Sequence, residues 1–189
     1  MKKKKTFVII FAVLFTITAI TLGYIALGFV AAFIFTFGYL GGLIFWLRSS
    51  SNCSLAQILW PYFTTLALFV LHKIEERKMN FFPALSEITG VPAPDSGSVP
   101  AILLYAIATF WLAIPFLIIK RRELGYFLAW TFFASMGITE LAHYVLPFFR
   151  NEPYGYFPGM WSVIGLAPAA WWGMYKLTKK SNERIWELR

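Results

Sequence analysis

The chain alternates long apolar runs with short polar interruptions, and the lengths of the runs predict its elements. Lys2 to Lys5 precede a nearly unbroken apolar stretch from Phe7 to Leu47, about twice the ~20 residues that cross a hydrocarbon core of ~30 Å. The break falls around Gly23 to Gly28, so the pattern predicts a tight hairpin of two helices. After a polar turn at Arg48 to Asn52, a third helix runs from Leu55 through Leu71 into His72, Glu75 and Glu76. The stretch Asn80 to Pro100 carries Pro83, Pro92, Pro94, Gly97 and Pro100 and so forms no continuous helix, because proline lacks a donor and disfavours helix before it. Phe81, Phe82, Leu85 and Ile88 place its first half at the membrane interface. A fourth helix is expected over Ala101 to Ile119, closed by Lys120, Arg121 and Arg122, and a fifth over Leu124 to Leu146, stopped by Pro147. An aromatic polar loop from Arg150 to Pro158 leads into a sixth helix, Gly159 to Leu177, and a basic tail with Lys179, Lys180 and Arg184. Pro115 and Pro168 lie inside spans, where kinks are tolerated.

The expected fold is therefore all-α, a polytopic membrane bundle of about six transmembrane helices, each satisfying its own backbone where no water is available. Its organisation reads as an N-terminal transmembrane hairpin and turn over 1–54, a four-helix membrane domain over 55–178 and a basic cytoplasmic tail over 179–189. The basic start followed by an apolar core is similar to a secretory signal, but no clear small-x-small cleavage site follows, so an uncleaved first helix is expected.

Composition strengthens the membrane reading. The chain is 59% hydrophobic and 14% charged, against roughly 25% charged residues in soluble domains. The net charge of +8 sits in short clusters beside the apolar runs, with no soluble basic face, so no nucleic-acid partner is expected. The clusters read as topology signals. Lys2 to Lys5, Arg48, Lys120 to Arg122 and the C-terminal cations all fall on one side if both termini are cytoplasmic in the cell membrane, as the positive-inside rule requires. Trp46, Trp60, Trp161 and Trp171 fall toward helix ends, as interfacial belts do. Cys53 is the single cysteine, which excludes an intramolecular disulfide, a zinc ribbon and a CxxC redox centre.

The candidate chemistry lies in the two histidines, His72 and His143. In His72-Lys73-Ile74-Glu75-Glu76 the imidazole and both carboxylates are spaced i, i+3 and i+4, so they face one direction on a helix. In Glu140-Leu141-Ala142-His143 the spacing is three. Counted at 1.5 Å per residue, His72 lies about 25 Å from Leu55 and His143 about 29 Å from Leu124, so both reach a similar depth near the outer face. Ionisable groups at such depth are costly and usually pair, bind ions or do chemistry. Glu76 with Lys73, and Glu75 with Lys78, offer simple ion pairs instead. Glu140 is different, because Phe132 to Leu146 is otherwise apolar.

The His72-Lys73-Ile74-Glu75-Glu76 pattern resembles the signature of the HXXEE family of small multi-helix membrane proteins, whose function is not established. His143 and the Tyr156-Phe157-Pro158-Gly159 turn are similar to that family's second histidine and its Tyr-x-Pro-Gly element. The resemblance spans roughly Leu55 to Leu177. Where members often carry an asparagine before the second histidine, this chain has Thr139 and Glu140.

Two imidazoles with a carboxylate suit zinc, iron or manganese and leave a position for water or substrate. The leading expectation is thus a metal-dependent membrane enzyme acting on a lipid, isoprenoid or other apolar substrate, with His72, His143 and Glu76 as ligands and Glu75 or Glu140 as base. Three alternatives stay open: a metal-free acid–base lipid enzyme, a protein that binds or transports a cation or solute, and a structural membrane subunit. Thr139, Tyr144, Tyr156 and Ser162 are candidate donors around the site.

Overall fold

The computed structural model describes residues 4–50, 53–95 and 97–179, and every regular element among them is helical. The order is α1 (Thr6–Arg48), α2 (Leu55–Lys78), α3 (Phe81–Thr89), α4 (Val99–Thr109), α5 (Ile114–Ile119), α6 (Glu123–Gly137), α7 (Ala142–Val145) and α8 (Met160–Thr178), with 3₁₀ turns at Phe110–Ala113, Thr139–Leu141 and Leu146–Phe149. By length and composition, Thr6–Arg48, Leu55–Lys78 and Val99–Ile119 suffice to cross a membrane.

The first of these is a hairpin. Gly28 has φ 81° and ψ −173° inside α1, a backbone conformation that glycine adopts without a Cβ penalty, and the chain folds back there. Lys4 Nζ consequently donates to the Ser49 carbonyl at 3.2 Å and stands 4.5 Å over the Trp46 ring. Trp46 is fully buried in the core, so it belongs to no interfacial belt, whereas Trp60 and Trp161 are exposed.

Both arms of the hairpin pack on α6. Phe15 and Trp46 meet Phe127 edge-on at centroid separations of 5.8 and 5.5 Å. Gly38 and Gly42 let the second arm approach α6 closely, as small residues do between membrane helices. A Cβ on Gly38 would lie 2.5 Å from Ser135 Oγ and 2.8 Å from Ser135 Cα, and one on Gly42 would lie 2.6 Å from Thr131 Cα. Gly38→Ala is therefore expected to destabilise the fold by about 1–3 kcal/mol, the usual cost of overpacking, seen as a lower Tm in detergent. An unchanged Tm would mean that the two helices are not in contact.

Three elements depart from the expected pattern. A short helix, α3, occupies the proline-rich loop, because Pro83 sits in its first turn, where the missing N–H is not needed; Asn80 and Gly90 bound it with left-handed backbone. Pro115 divides the fourth span through the 3₁₀ turn Phe110–Ala113. The fifth span is not one helix to Leu146: α6 ends at Gly137, and the chain tightens into a 3₁₀ turn carrying Glu140 before α7. Trp171 Nε1 donates to the Gly137 carbonyl at 2.6 Å, satisfying a backbone group near the break.

Chain direction alternates through the bundle. The Lys5 amide bonds Glu123 at 2.9 Å, and the Tyr126 hydroxyl donates to the Cys53 carbonyl, so the start of α1, the start of α2 and the start of α6 share one end. Arg48 and the Lys120 to Arg122 cluster lie at that end. Most of the basic tail lies outside the described residues. The opposite end holds the Gly28 bend, α3, and the histidines.

Candidate metal centre

His72, Glu76, Glu140 and His143 converge, each offering one ligand atom within 4.8 Å of every other. The two imidazoles lie perpendicular, with ring centroids 4.8 Å apart. His72 and Glu76 come from successive turns of α2, and Glu140 and His143 from the 3₁₀ turn and α7, where i and i+3 side chains nearly eclipse. The α6 break thus sets the position of half the cluster. His72 is fully buried, and His143, Glu76 and Glu140 are 2%, 8% and 9% exposed, so the cluster is shielded from bulk water.

The outer nitrogen of each ring is committed. His143 Nδ1 donates to the Pro158 carbonyl at 2.5 Å. Ser162 Oγ donates to the Gly159 carbonyl at 3.1 Å, which leaves its lone pairs to accept from His72 Nδ1 at 2.8 Å. With Nδ1 protonated in both rings, each neutral imidazole turns the Nε2 lone pair inward; a hydrogen bond at the other nitrogen fixes the tautomer in this way. His72 Nε2 lies 3.2 Å from both Glu76 Oε1 and Glu140 Oε2, and His143 Nε2 lies 3.4 and 3.2 Å from the same oxygens. Four electron-pair donors therefore face one another, and only a cation or added protons makes that arrangement favourable.

The spacing fits a metal. Neighbouring donors ~2.0 to 2.1 Å from a single tetrahedral ion stand ~3.3 Å apart, and the four nitrogen–oxygen edges have this separation, while the other two distances in the set lie within 4.8 Å. Charge-assisted N–H···O bonds are shorter, at roughly 2.7 to 2.9 Å.

Lys73 neutralises the far side of the carboxylates, with Nζ 2.7 Å from Glu76 Oε2 and 3.7 Å from Glu140 Oε1. The ion pair expected between Lys73 and Glu76 is thus present, but it coexists with the cluster instead of replacing it.

Glu75 is turned away from the four. Its Oε1 accepts from the Tyr156 hydroxyl at 2.7 Å and the Trp161 amide at 3.1 Å, and its Oε2 accepts from the Ser162 amide at 2.8 Å. This geometry does not suit the base role expected from the sequence. Glu75 instead serves the unpaired amides of the first turn of α8, where negative charge is favoured by the helix dipole. Burial, followed by the bond to Glu75, pushes the Tyr156 phenol up to about 12, so it remains a donor at neutral pH. Through Ser162 the same carboxylate fixes the group that orients His72. Glu75→Gln is expected to leave the fold intact and weaken metal binding by roughly 10- to 100-fold, the usual effect of losing an orienting partner; chelator competition measures it.

Of the other candidate donors, Ser162 orients His72, Tyr144 donates to the Met160 carbonyl at 2.7 Å, and Thr139 Oγ1 is buried without a hydrogen-bond partner. The Pro158 carbonyl and Gly159 are further parts of the site, and neither carries a side-chain signature in the sequence. The Tyr156-Phe157-Pro158-Gly159 turn was the available signal.

Beside the cluster lies a cavity with about 150 Å³ of space for the centres of water-sized molecules. Lys73, Glu76, Glu140 and His143 form one side; most of the remaining wall is apolar, from Leu27, Phe35, Phe82, Leu104 and Trp111 among others.

No family model, curated protein or solved structure matches this chain.

Proposed function

We propose that this chain is a metal-dependent membrane enzyme acting on a lipid or another apolar substrate. The observation that carries the reading is the convergence of two inward Nε2 lone pairs with two carboxylates at the side of a largely apolar cavity. His72, His143 and Glu76 hold a divalent zinc, iron or manganese ion, the Lys73 ammonium fixing the Glu76 carboxylate from behind. Bound there, such an ion polarises a substrate oxygen or lowers the pKa of water. Glu140 is tied more loosely to Lys73 and stands on a short turn beside the cavity, which suits a general base that takes up a proton and releases it.

In this reading both termini are cytoplasmic and the site faces the outer side of the cell membrane, because the end opposite the cluster gathers the cations that the positive-inside rule keeps inside. The resemblance to the HXXEE family enters on the same footing: its histidine, two glutamates, second histidine and Pro-Gly turn are the residues from which the site and its supports are built.

The test is turnover. Metal-loaded protein in nanodiscs is incubated with a total lipid extract, and the products are followed by mass spectrometry. The expected result is depletion of one lipid class with the wild type, loss of that depletion on chelation, and its loss in Glu140→Gln with metal still bound. An unchanged lipid profile with fully metal-loaded, folded protein would contradict an enzymatic role.

A second reading draws on the charge count. Two carboxylates and Lys73 leave one negative charge, which a single imidazolium balances without metal; the cluster then performs acid–base chemistry on the same class of substrate.

A further inference from the structure

We propose that the cavity is filled sideways from the bilayer, through the cleft between α2 and α4, by a single-chain amphiphile whose polar end is an uncharged oxygen function such as an alcohol or aldehyde. This deepens the lipid-enzyme reading and rests on it for what happens after binding.

The route follows from how the helices are seated. α4 packs on α1 and continues into the 3₁₀ turn Phe110–Ala113, whereas α2 packs mainly on α8. Both helices contribute to the cavity wall, Phe69 and Lys73 from α2 and Leu104, Tyr105 and Ala108 from α4. These are also wall residues with access to the exterior. Tyr105 is 52% exposed, and Phe69, Lys73, Leu104 and Ala108 are half-buried. Behind them, Trp111 and Tyr39 are buried and stacked at 6.0 Å, giving the cavity an aromatic floor. An opening between two apolar helices faces acyl chains, so the solute that reaches it is already dissolved in the membrane.

The chemistry of the wall selects the occupant. Much of it comes from Ala31, Phe35, Leu85 and other apolar side chains, which suit an alkyl or prenyl chain. At the cluster no basic side chain among the described residues is free to pair with a phosphate or carboxylate, because the Lys73 ammonium is already engaged with Glu76 and Glu140. A neutral oxygen needs no such partner and can accept from or donate to these groups.

The experiment uses the full chain in nanodiscs with an alkyne-tagged, diazirine-bearing C16 alcohol, followed by peptide mapping. Labelling is expected on the segments holding Phe69, Tyr105 and Phe35, with competition by hexadecanol at least tenfold stronger than by palmitate or hexadecane. Two plugs at the cleft, Ala108→Trp and Leu104→Trp, each monitored for folding by size-exclusion chromatography, are expected to reduce labelling at least tenfold. Labelling confined to lipid-facing positions such as Phe116, equal competition by hexadecane, or full labelling of both folded plugs would overturn the proposal. Metal analysis on the same samples keeps the two readings apart. Metal-free wild type that labels and responds to the plugs would fail the metal-enzyme reading alone, and metal-loaded wild type whose labelling ignores the plugs would fail this one alone.

Discussion

His72→Ala and His143→Ala are each expected to weaken zinc binding by roughly 100- to 1,000-fold. Zinc held by four protein ligands binds with about 10–16 kcal/mol, or about 2.5 to 4 kcal/mol per ligand, and a histidine of this site is expected to carry about as much. Chelator competition on detergent-purified protein gives the number directly. The two variants should behave alike despite their different positions in the chain, because His72 Nε2 and His143 Nε2 occupy equivalent places against the same two carboxylate oxygens, at 3.2 to 3.4 Å. Glu75→Gln, by contrast, should fall well short of either. A loss confined to one histidine would separate the rings and leave the other as a structural partner of Pro158 or Ser162.

Gly159→Ala is expected to damage the site as severely as removing a ligand, although Gly159 supplies no ligand atom. Two independent costs add. Gly159 has φ 100°, which an L side chain rarely adopts. A Cβ there would also lie 2.6 Å from His143 Cε1 and Nδ1 and 2.8 Å from His72 Cε1, so both rings would have to move. The shift would pull His143 from the Pro158 carbonyl and His72 from Ser162, undoing the tautomer and orientation of both ligands. Zinc affinity is expected to fall at least 100-fold, about the size of the effect of losing both orienting partners, with a lower Tm. Gly155, a nearby loop glycine whose added Cβ would meet only the Pro153 carbonyl oxygen at 3.7 Å, is the control: Gly155→Ala should leave both quantities unchanged.

Much of this arrangement is legible in the sequence, for reasons that differ from residue to residue. The hairpin follows from an apolar stretch too long for one span and a glycine that permits reversal. The meeting of His72 with His143 follows from helical rise, because two helices of known direction bring both rings to the same depth. Periodicity alone does not reveal that the fifth span ends at Gly137. The signal there is tertiary, since Trp171 on α8 supplies the hydrogen bond that accompanies the early end of the helix. The same limit applies to Glu75. Its spacing from His72 fits the cluster as well as that of Glu76 does, and only the approach of the α8 amino terminus draws it away. The support given by Pro158 and Gly159 is equally a matter of packing, because a backbone carbonyl and a missing Cβ have no chemical signature in a sequence.

Metal content decides whether His72, Glu76 and His143 hold an ion beside Glu140. The protein is purified in detergent without chelators, exposed to zinc, iron(II) or manganese, freed of unbound ion and assayed by inductively coupled plasma mass spectrometry beside a His72→Ala/His143→Ala double variant. Close to one ion is expected per folded wild-type chain, and close to none in the folded double variant. Folded wild-type protein that retains no metal under any of these conditions would contradict a metal site here.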